Sequence, residues 1–239
     1  MLKIKDCNLN FENKKFLNRI CELCDCVCFE KKTDDQIDKM LNDMKENYIF
    51  SKNIFICFEG NIAAGKSTLL KQYTPILQEP LDIWTNCLLD NFNLFAAYNK
   101  AITGQGNDNA VFCFQMIAVF SRFLSMHELE CTYNKCKIFC ERSPFSDEFF
   151  FTQNASKCTS KQIEVYSKCI KVLKQLVYPV CMFYFLEIDT ETCMRQLKQR
   201  NRLGEENITI EYLEKIKNFN KRLKNSIDKE KILFDKNFI

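Results

Sequence analysis

From residue 53 onward, short apolar runs alternate with longer amphipathic stretches. The runs Asn53–Phe58, Ile76–Gln78, Lys137–Cys140, Cys181–Leu186 and Lys231–Phe234 read as buried strands. Between them, Ala110–Cys131, Ser160–Val177 and Thr190–Arg200 carry their apolar positions at helical spacing. Strand and helix alternating in this way predict an α/β fold, a parallel sheet covered on both faces. Residues 1–50 read differently, being polar and rich in Lys, Asp and Asn. Within them Thr33–Tyr48 has an N-cap candidate in Thr33 and the stripe Ile37, Met40, Leu41, Met44. This segment is expected to be an N-terminal extension of unassigned role, outside a main domain of residues 51–239. The stretch Thr103–Asn109, with Gly104 and Gly106, is the clearest flexible insertion.

Composition narrows the class. The chain has 239 residues, 46% of them hydrophobic, which is ample for one full core and excludes intrinsic disorder. A net charge of +3, from 34 basic and 31 acidic residues, gives no electrostatic reason to expect a nucleic-acid partner. No apolar run approaches the roughly 20 residues that cross a bilayer, and no secretory or Arg-rich transit segment is visible. A cytoplasmic protein with no membrane partner is the expectation. The fifteen cysteines then read mostly as reduced core hydrophobes, as Cys57, Cys140 and Cys181 inside apolar runs illustrate. The cluster Cys21, Cys24, Cys26 and Cys28 has enough thiols for Zn²⁺. No second pair follows at finger spacing and the single histidine, His127, is remote, so a solvent-exposed or partly packed Cys-rich segment is preferred.

The strongest local signal follows the first strand. Gly60-Asn61-Ile62-Ala63-Ala64-Gly65-Lys66-Ser67 satisfies G-x-x-x-x-G-K-[ST] in full, with Thr68 and a helix after it. The glycines let backbone N–H groups turn inward around phosphate oxygens, the helix start adds positive potential, and Lys66 neutralises charge. Ser67 is the expected Mg²⁺ ligand. The second strand ends in Glu79-Pro80, with Trp84 shortly after, and the third in Glu141-Arg142-Ser143. Both endings fall at the carboxyl edge of the sheet, where ligands of open α/β folds bind. There Arg142 can neutralise charge on a transferred phosphoryl group, and Glu141 can join Ser67 around Mg²⁺.

Taken together, these residues closely resemble the deoxynucleoside kinase family, and within it the deoxycytidine/deoxyguanosine kinase branch. The resemblance runs from about Asn53 to Phe234. It rests on the Glu59–Thr68 loop, Glu79-Pro80 with Trp84, Phe114-Gln115, Glu141-Arg142-Ser143, and Arg200-Asn201-Arg202 followed by Glu205. It implies a P-loop kinase fold with a five-stranded parallel sheet, a homodimer packed through helices, and transfer of the γ-phosphoryl group of ATP to a nucleoside 5′-hydroxyl. Residue by residue, it implies Glu79 as general base with Arg142 as its partner on the phosphate side. Tyr98 and Glu205 would grip the sugar 3′-hydroxyl, with Glu206 an alternative to Glu205. Gln115 would meet the base edge, with Trp84, Phe114 and Phe151 around the ring. Arg200 and Arg202 would sit on a lid over the phosphates.

Arg122, two turns after Gln115, and Asp147, six residues after Glu141, bear on the base. In the deoxycytidine/deoxyguanosine branch an Arg and an Asp occupy these places, whereas thymidine-preferring members carry small or apolar residues. A charged pair of this kind offers donors and an acceptor to an exocyclic amine and a ring nitrogen. The plainer readings are an ion pair that only braces the fold, and core roles for Trp84 and Phe114. The rival functions are a broad-specificity or thymidine-preferring kinase, a nucleoside monophosphate kinase, and a non-catalytic nucleotide-binding module. A monophosphate acceptor is already anionic and needs no carboxylate base, which argues against the monophosphate kinase.

Overall fold

In β1 (Ile54–Gly60) successive side chains leave the sheet on opposite faces. Phe55 and Cys57 enter one apolar cluster, and Ile56 and Phe58 another. Both faces are therefore covered, as a parallel sheet requires. The computed structural model describes residues 3–4, 7–29, 31, 33–86, 92–201, 205 and 208–233. Within them β1, β2 (Ile76–Leu77), β3 (Lys137–Glu141), β4 (Cys181–Leu186) and β5 (Ile232–Leu233) pair in the order β2-β3-β1-β4-β5, every pairing parallel. All five expected strands are present, with Phe234 of the last lying outside the described residues. Phe58 pairs with Glu141 in register, so the phosphate loop and the Glu141-Arg142 segment leave neighbouring strands at the same edge.

The helices are α1 (Phe11–Cys28), α2 (Asp34–Asn47), α3 (Lys66–Leu70), α4 (Leu81–Thr85), α5 (Leu94–Ile102), α6 (Asn109–Thr132), α7 (Pro144–Asn154), α8 (Ser160–Val177), α9 (Thr190–Arg200) and α10 (Ile210–Ser226). The helical spacings noted above fall on α2, α6, α8 and α9. Gly104 and Gly106 lie in the exposed turn between α5 and α6. Helix α6 is the axis of the larger cluster, with Val111 through Leu124 all buried. By length and composition it is apolar enough to cross a membrane, contrary to the expectation that no run came near that size. It serves instead as the central core helix, 83% of its apolar stretch being buried.

The N-terminal extension is not outside the core. Helix α1 starts on an Asn10 cap, whose side chain accepts from the Asn13 N–H at 2.9 Å. It then runs antiparallel along α6. The Asn13 amide donates to the Leu124 carbonyl at 3.3 Å, Phe16 meets Phe120, and the Cys28 sulfur lies 3.6 Å from that of Cys113. Its buried stripe is Phe16, Leu17, Ile20, Cys21, Leu23, Cys24 and Val27. Cysteine acts here as a small hydrophobe, and reading the cluster as polar hides this amphipathic period. Cys21 and Cys24 point into the core while Cys26 and Cys28 are only half-buried. Among the described residues no three metal-ligating side chains converge.

Because Ile20 is wholly buried between α1 and the rest of the core, Ile20→Ala is expected to cost about 2–5 kcal/mol of stability, read from the urea midpoint. A loss under about 0.5 kcal/mol, the scale of an indifferent surface change, would restore the appendage reading.

Candidate active site

The phosphate loop is shaped by two close backbone constraints. Gly60 has φ +148°, and a Cβ there would stand 2.8 Å from the Leu186 carbonyl oxygen of β4, so a side chain cannot be accommodated. Gly65 turns left-handed at φ +87° to start α3. That helix is only five residues long, so the loop's own N–H groups, more than a long helix dipole, supply the anion cradle. Asn61 braces it by donating to the Leu213 carbonyl of α10 at 3.0 Å and accepting from the Ile62 N–H at 2.9 Å. Ala64 packs against Phe149 and Leu213 behind the loop.

Lys66 is buried and folds back on the loop, its Nζ donating to the Asn61 carbonyl at 2.8 Å. Burial, with the positive charge of Arg142 nearby, draws its pKa down to about 8. A buried ammonium resting on neutral carbonyls is a cation prepared for an anion. Ser67 Oγ donates to Glu141 Oε1 at 2.7 Å. A hydroxyl and a carboxylate oxygen in direct contact beside the loop are the hard oxygen donors that Mg²⁺ takes, so the residues present fit a magnesium–nucleotide complex.

Beside the loop lies a cluster of two guanidiniums and two carboxylates. Glu79 Oε1 lies 3.2 Å from Arg142 Nε and 3.5 Å from Arg122 Nη2. Arg142 follows β3 in the left-handed region at φ +67°. Its N–H is bonded to the Phe58 carbonyl at 3.1 Å, and its Nη1 donates to the Gly60 carbonyl at 3.2 Å. That turn aims the guanidinium at both the phosphate loop and Glu79. Arg122, on α6, forks onto Asp147 of α7 (Nε–Oδ2 3.0 Å, Nη2–Oδ1 3.3 Å), and its Nη1 donates to the Glu141 carbonyl at 2.7 Å. Burial pushes the Asp147 carboxyl above its ordinary value, and Arg122 opposes the shift.

A concave cavity opens between these groups, walled mainly by apolar and aromatic side chains with a few charged groups converging on it, the usual make-up of a small-molecule site. Glu79, Trp84, Tyr98, Phe114, Gln115, Arg122, Arg142, Asp147, Arg200 and Glu205 line it together with Ile62, Ala63, Lys66 and Glu141. The aromatic wall is interlocked. Phe114 stacks on Tyr98 with ring centroids at 4.4 Å and meets Trp84 edge-on at 5.4 Å, while Trp84 Nε1 donates to Ser121 Oγ at 3.0 Å. The Tyr98 hydroxyl accepts from the Asn154 amide at 3.3 Å, with Gln115 and Tyr212 lining the cavity beside it. Arg200 grips Glu205 with Nη2–Oε1 at 2.7 Å and Nε–Oε2 at 3.2 Å, so the expected lid cation and sugar ligand hold each other in this state.

One expectation is not met, and two residues cannot be placed. Phe151 is turned away from the cavity and stacks on Tyr166 of α8 at 3.8 Å, whereas Phe150 lines the cavity, its ring 4.9 Å from the Arg142 guanidinium. The phase of α7 decides this: Asp147 and Phe150, three apart, share the cavity face. Arg202 and Glu206 lie outside the described residues. Sequence reasoning also missed Tyr212 and Asn99 in the wall. Glu59 was quoted as part of the loop motif but given no role. It is fully buried at the end of β1, accepts from Ser143 Oγ, and is pushed up to about 7 by burial.

Comparison with known proteins gives the same direction. A family model described as deoxynucleoside kinase matches residues 56–236. A protein of Invertebrate iridescent virus 6 whose name carries the word kinase is 28% identical over 169 residues, covering 68% of this chain and 78% of the relative. Deoxycytidine kinase of Homo sapiens is 27% identical over 197 residues, covering 67% and 71%. Mitochondrial thymidine kinase 2 of Macaca fascicularis is 26% identical over 174 residues, covering 69% and 62%. Relatives of either base preference thus stand at the same distance, and that distance does not choose between them. The match takes in all five strands apart from the first two residues of β1, together with the phosphate loop and Glu79: this chain belongs to the deoxynucleoside kinase family, a family of ATP-using phosphotransferases.

Proposed function

We propose that the protein transfers the γ-phosphoryl group of ATP, held with Mg²⁺, to the 5′-hydroxyl of a deoxynucleoside, and that deoxycytidine and purine deoxynucleosides are preferred over thymidine. The observation that carries this reading is the meeting of Lys66, Glu79, Arg142 and the Arg122–Asp147 pair in one cavity. The bound magnesium nucleotide supplies the electrophilic phosphoryl group and neutralises its charge. Gly60 to Ser67, Lys66 among them, would hold the phosphates, while Ser67 and Glu141 would hold the metal. Glu79 takes the proton of the 5′-hydroxyl as that oxygen forms its bond to phosphorus and the bond to the ADP oxygen breaks. Arg142, bridging the loop and Glu79, stabilises charge on the group in flight. Tyr98 and Glu205 orient the sugar, and Trp84, Phe114 and Gln115 hold the base between the aromatic wall and an amide edge. Phosphate already attached to the acceptor would set an anion against Glu79, which disfavours a monophosphate substrate.

The base preference rests on charge. Arg122 and Asp147 are 2% and 4% exposed, so the base meets them without competing water. Donors and an acceptor there match the amine and ring nitrogen of cytosine or a purine, and thymine's methyl group answers neither.

Three outcomes follow from these roles. Glu79→Gln keeps the fold and nucleotide binding but lowers kcat by about 10²–10⁴-fold, the usual worth of a general base; near-normal kcat in the folded variant removes Glu79 from the mechanism.

Lys66 sets a proton linkage. With its folded pKa depressed to about 8, the charged form is the costly one, and its contribution to stability is lost as pH falls through that value. A bound triphosphate reverses the preference, so nucleotide binding near this pH takes up a proton, measured by calorimetry in buffers of different ionisation heat. Lys66→Ala abolishes both the uptake and phosphoryl transfer, and uptake persisting in that variant places the titrating group elsewhere.

The double variant Arg122→Met/Asp147→Ala shifts the ratio of kcat/KM toward thymidine over deoxycytidine by about 1–3 kcal/mol, one buried hydrogen bond or two. Removing the pair together avoids leaving one buried charge unpaired. Absolute rates fall as well, because Arg122 also faces Glu79, so the ratio is the readout. If the unmodified protein prefers thymidine, the base assignment fails and the kinase assignment stands.

A further inference from the structure

Three successive residues of β1 hold the segment that follows β3, and only one of them does so with its side chain. The Phe58 carbonyl accepts from the Arg142 N–H at 3.1 Å, and the Gly60 carbonyl accepts from Arg142 Nη1 at 3.2 Å. Backbone carbonyls of this kind come with any residue that fits the strand. Between them, the Glu59 carboxyl accepts from Ser143 Oγ. That tie alone depends on the choice of side chain.

The choice is a costly one. Glu59 is wholly buried, and its Oε2 has no hydrogen-bond partner among the described residues. An unpaired polar oxygen in the interior costs stability. The two preceding places on the same face of β1, Phe55 and Cys57, are apolar and pack in the main core. A third apolar side chain would continue that pattern at no such cost. Glu59 is therefore to be explained by what its other oxygen holds.

It holds the junction between two halves of the site. Ser143 is the N-cap of α7, wholly buried, and Ser146 Oγ donates to its carbonyl at 2.9 Å. Just before it come Glu141, bonded to Ser67, and Arg142, left-handed at φ +67°. Just after it α7 carries Asp147 and Phe150 to the cavity. A strained backbone position persists only where its surroundings over-determine it. The pairing of Glu141 with Phe58 fixes the upstream flank of Arg142, and Ser143 on Glu59 fixes the downstream flank. Neither Glu59 nor Ser143 lines the cavity. Ligands that take over the contacts of Arg142 with Gly60 and Glu79 leave this tie in place.

We propose that Glu59 is a positioning residue for phosphoryl transfer: through Ser143 it holds the Arg142 turn, so that the guanidinium keeps its aim when substrates displace its other partners. The inference rests on the role given above to Arg142 and deepens it.

Glu59→Ala and Ser143→Ala remove the two sides of the tie. Each is expected to lower kcat by about 10²-fold, the scale of a misplacement of about 1 Å. KM for nucleoside and for ATP stays within about twofold, because neither side chain touches a ligand. The double variant falls no further than the worse single one, since all three lose the same contact. Glu59→Gln keeps an acceptor for Ser143 and recovers most of the rate. Urea midpoints establish that the rates are those of folded protein, and Ser143→Ala carries the same expectations where Glu59→Ala does not fold. A second readout needs no turnover. The Nε–H resonance of Arg142, identified by its loss in Arg142→Lys, exchanges with water about tenfold faster or more once the tie is cut. A kcat within about twofold of the unmodified protein in the folded alanine variants, or unaltered exchange at Arg142, overturns the proposal. Absence of transfer by the unmodified protein overturns the reaction instead, and exchange at Arg142 still decides the positioning role.

Discussion

The guanidinium of Arg122 is the contact on which the rest of the site depends. It is buried on α6, and its donors reach Asp147 on α7, the Glu141 carbonyl at the end of β3, and Glu79 just beyond β2. Taking a charge out of water costs several kcal/mol unless nearly every donor is used, so these elements are drawn to one point by a single side chain. The carboxylate proposed to activate the acceptor and the pair proposed to read the base share that point. Position along the reaction path and choice of base are thereby coupled through one residue. Arg142 provides the second tie. Its left-handed backbone costs of order 1–3 kcal/mol and is held by the Phe58 and Gly60 carbonyls, both on β1. The strained turn follows from β1 and β3 lying side by side at the edge where both chemistries meet.

Much of this was legible from residue order. A parallel sheet announces itself through alternating runs, and the phosphate loop through glycines whose places only a backbone constraint explains. Gly60 is the clearest case, since the Leu186 carbonyl leaves no room for a Cβ. What sequence did not reveal was phase and partnership. Phe150 and Phe151 are adjacent and chemically alike, and only the rotation of α7 against Tyr166 decides which one faces the cavity. The α1 stripe was hidden because Cys21 and Cys24 read as possible ligands or surface thiols, when in the fold they do the work of small aliphatic residues. Tyr212 reaches the wall from a helix far along the chain. No spacing rule links it to Tyr98, and its contribution becomes visible only when α10 is placed beside the phosphate loop.

The charges of the site satisfy one another in this state. Lys66 rests on the Asn61 carbonyl, Arg142 on Glu79 and Gly60, Arg200 on Glu205, and Ser67 on Glu141. Each of these is a contact that the proposed ligands would replace: phosphate for the carbonyls under Lys66, metal between Ser67 and Glu141, a hydroxyl proton between Glu79 and its new partner, a sugar oxygen at Glu205. An active site built this way avoids the cost of leaving buried charge unpaired before substrate arrives, yet it gives up little on binding, because one good contact is traded for another. The traded contacts lie at different ends of the cavity, with the loop at one side and the Arg200–Glu205 fork at another. Arg142 belongs to both the donor and the acceptor halves, since it bonds Gly60 and faces Glu79. Filling either half therefore alters the field felt in the other, and the two substrates are coupled by electrostatics even if no element of the fold moves.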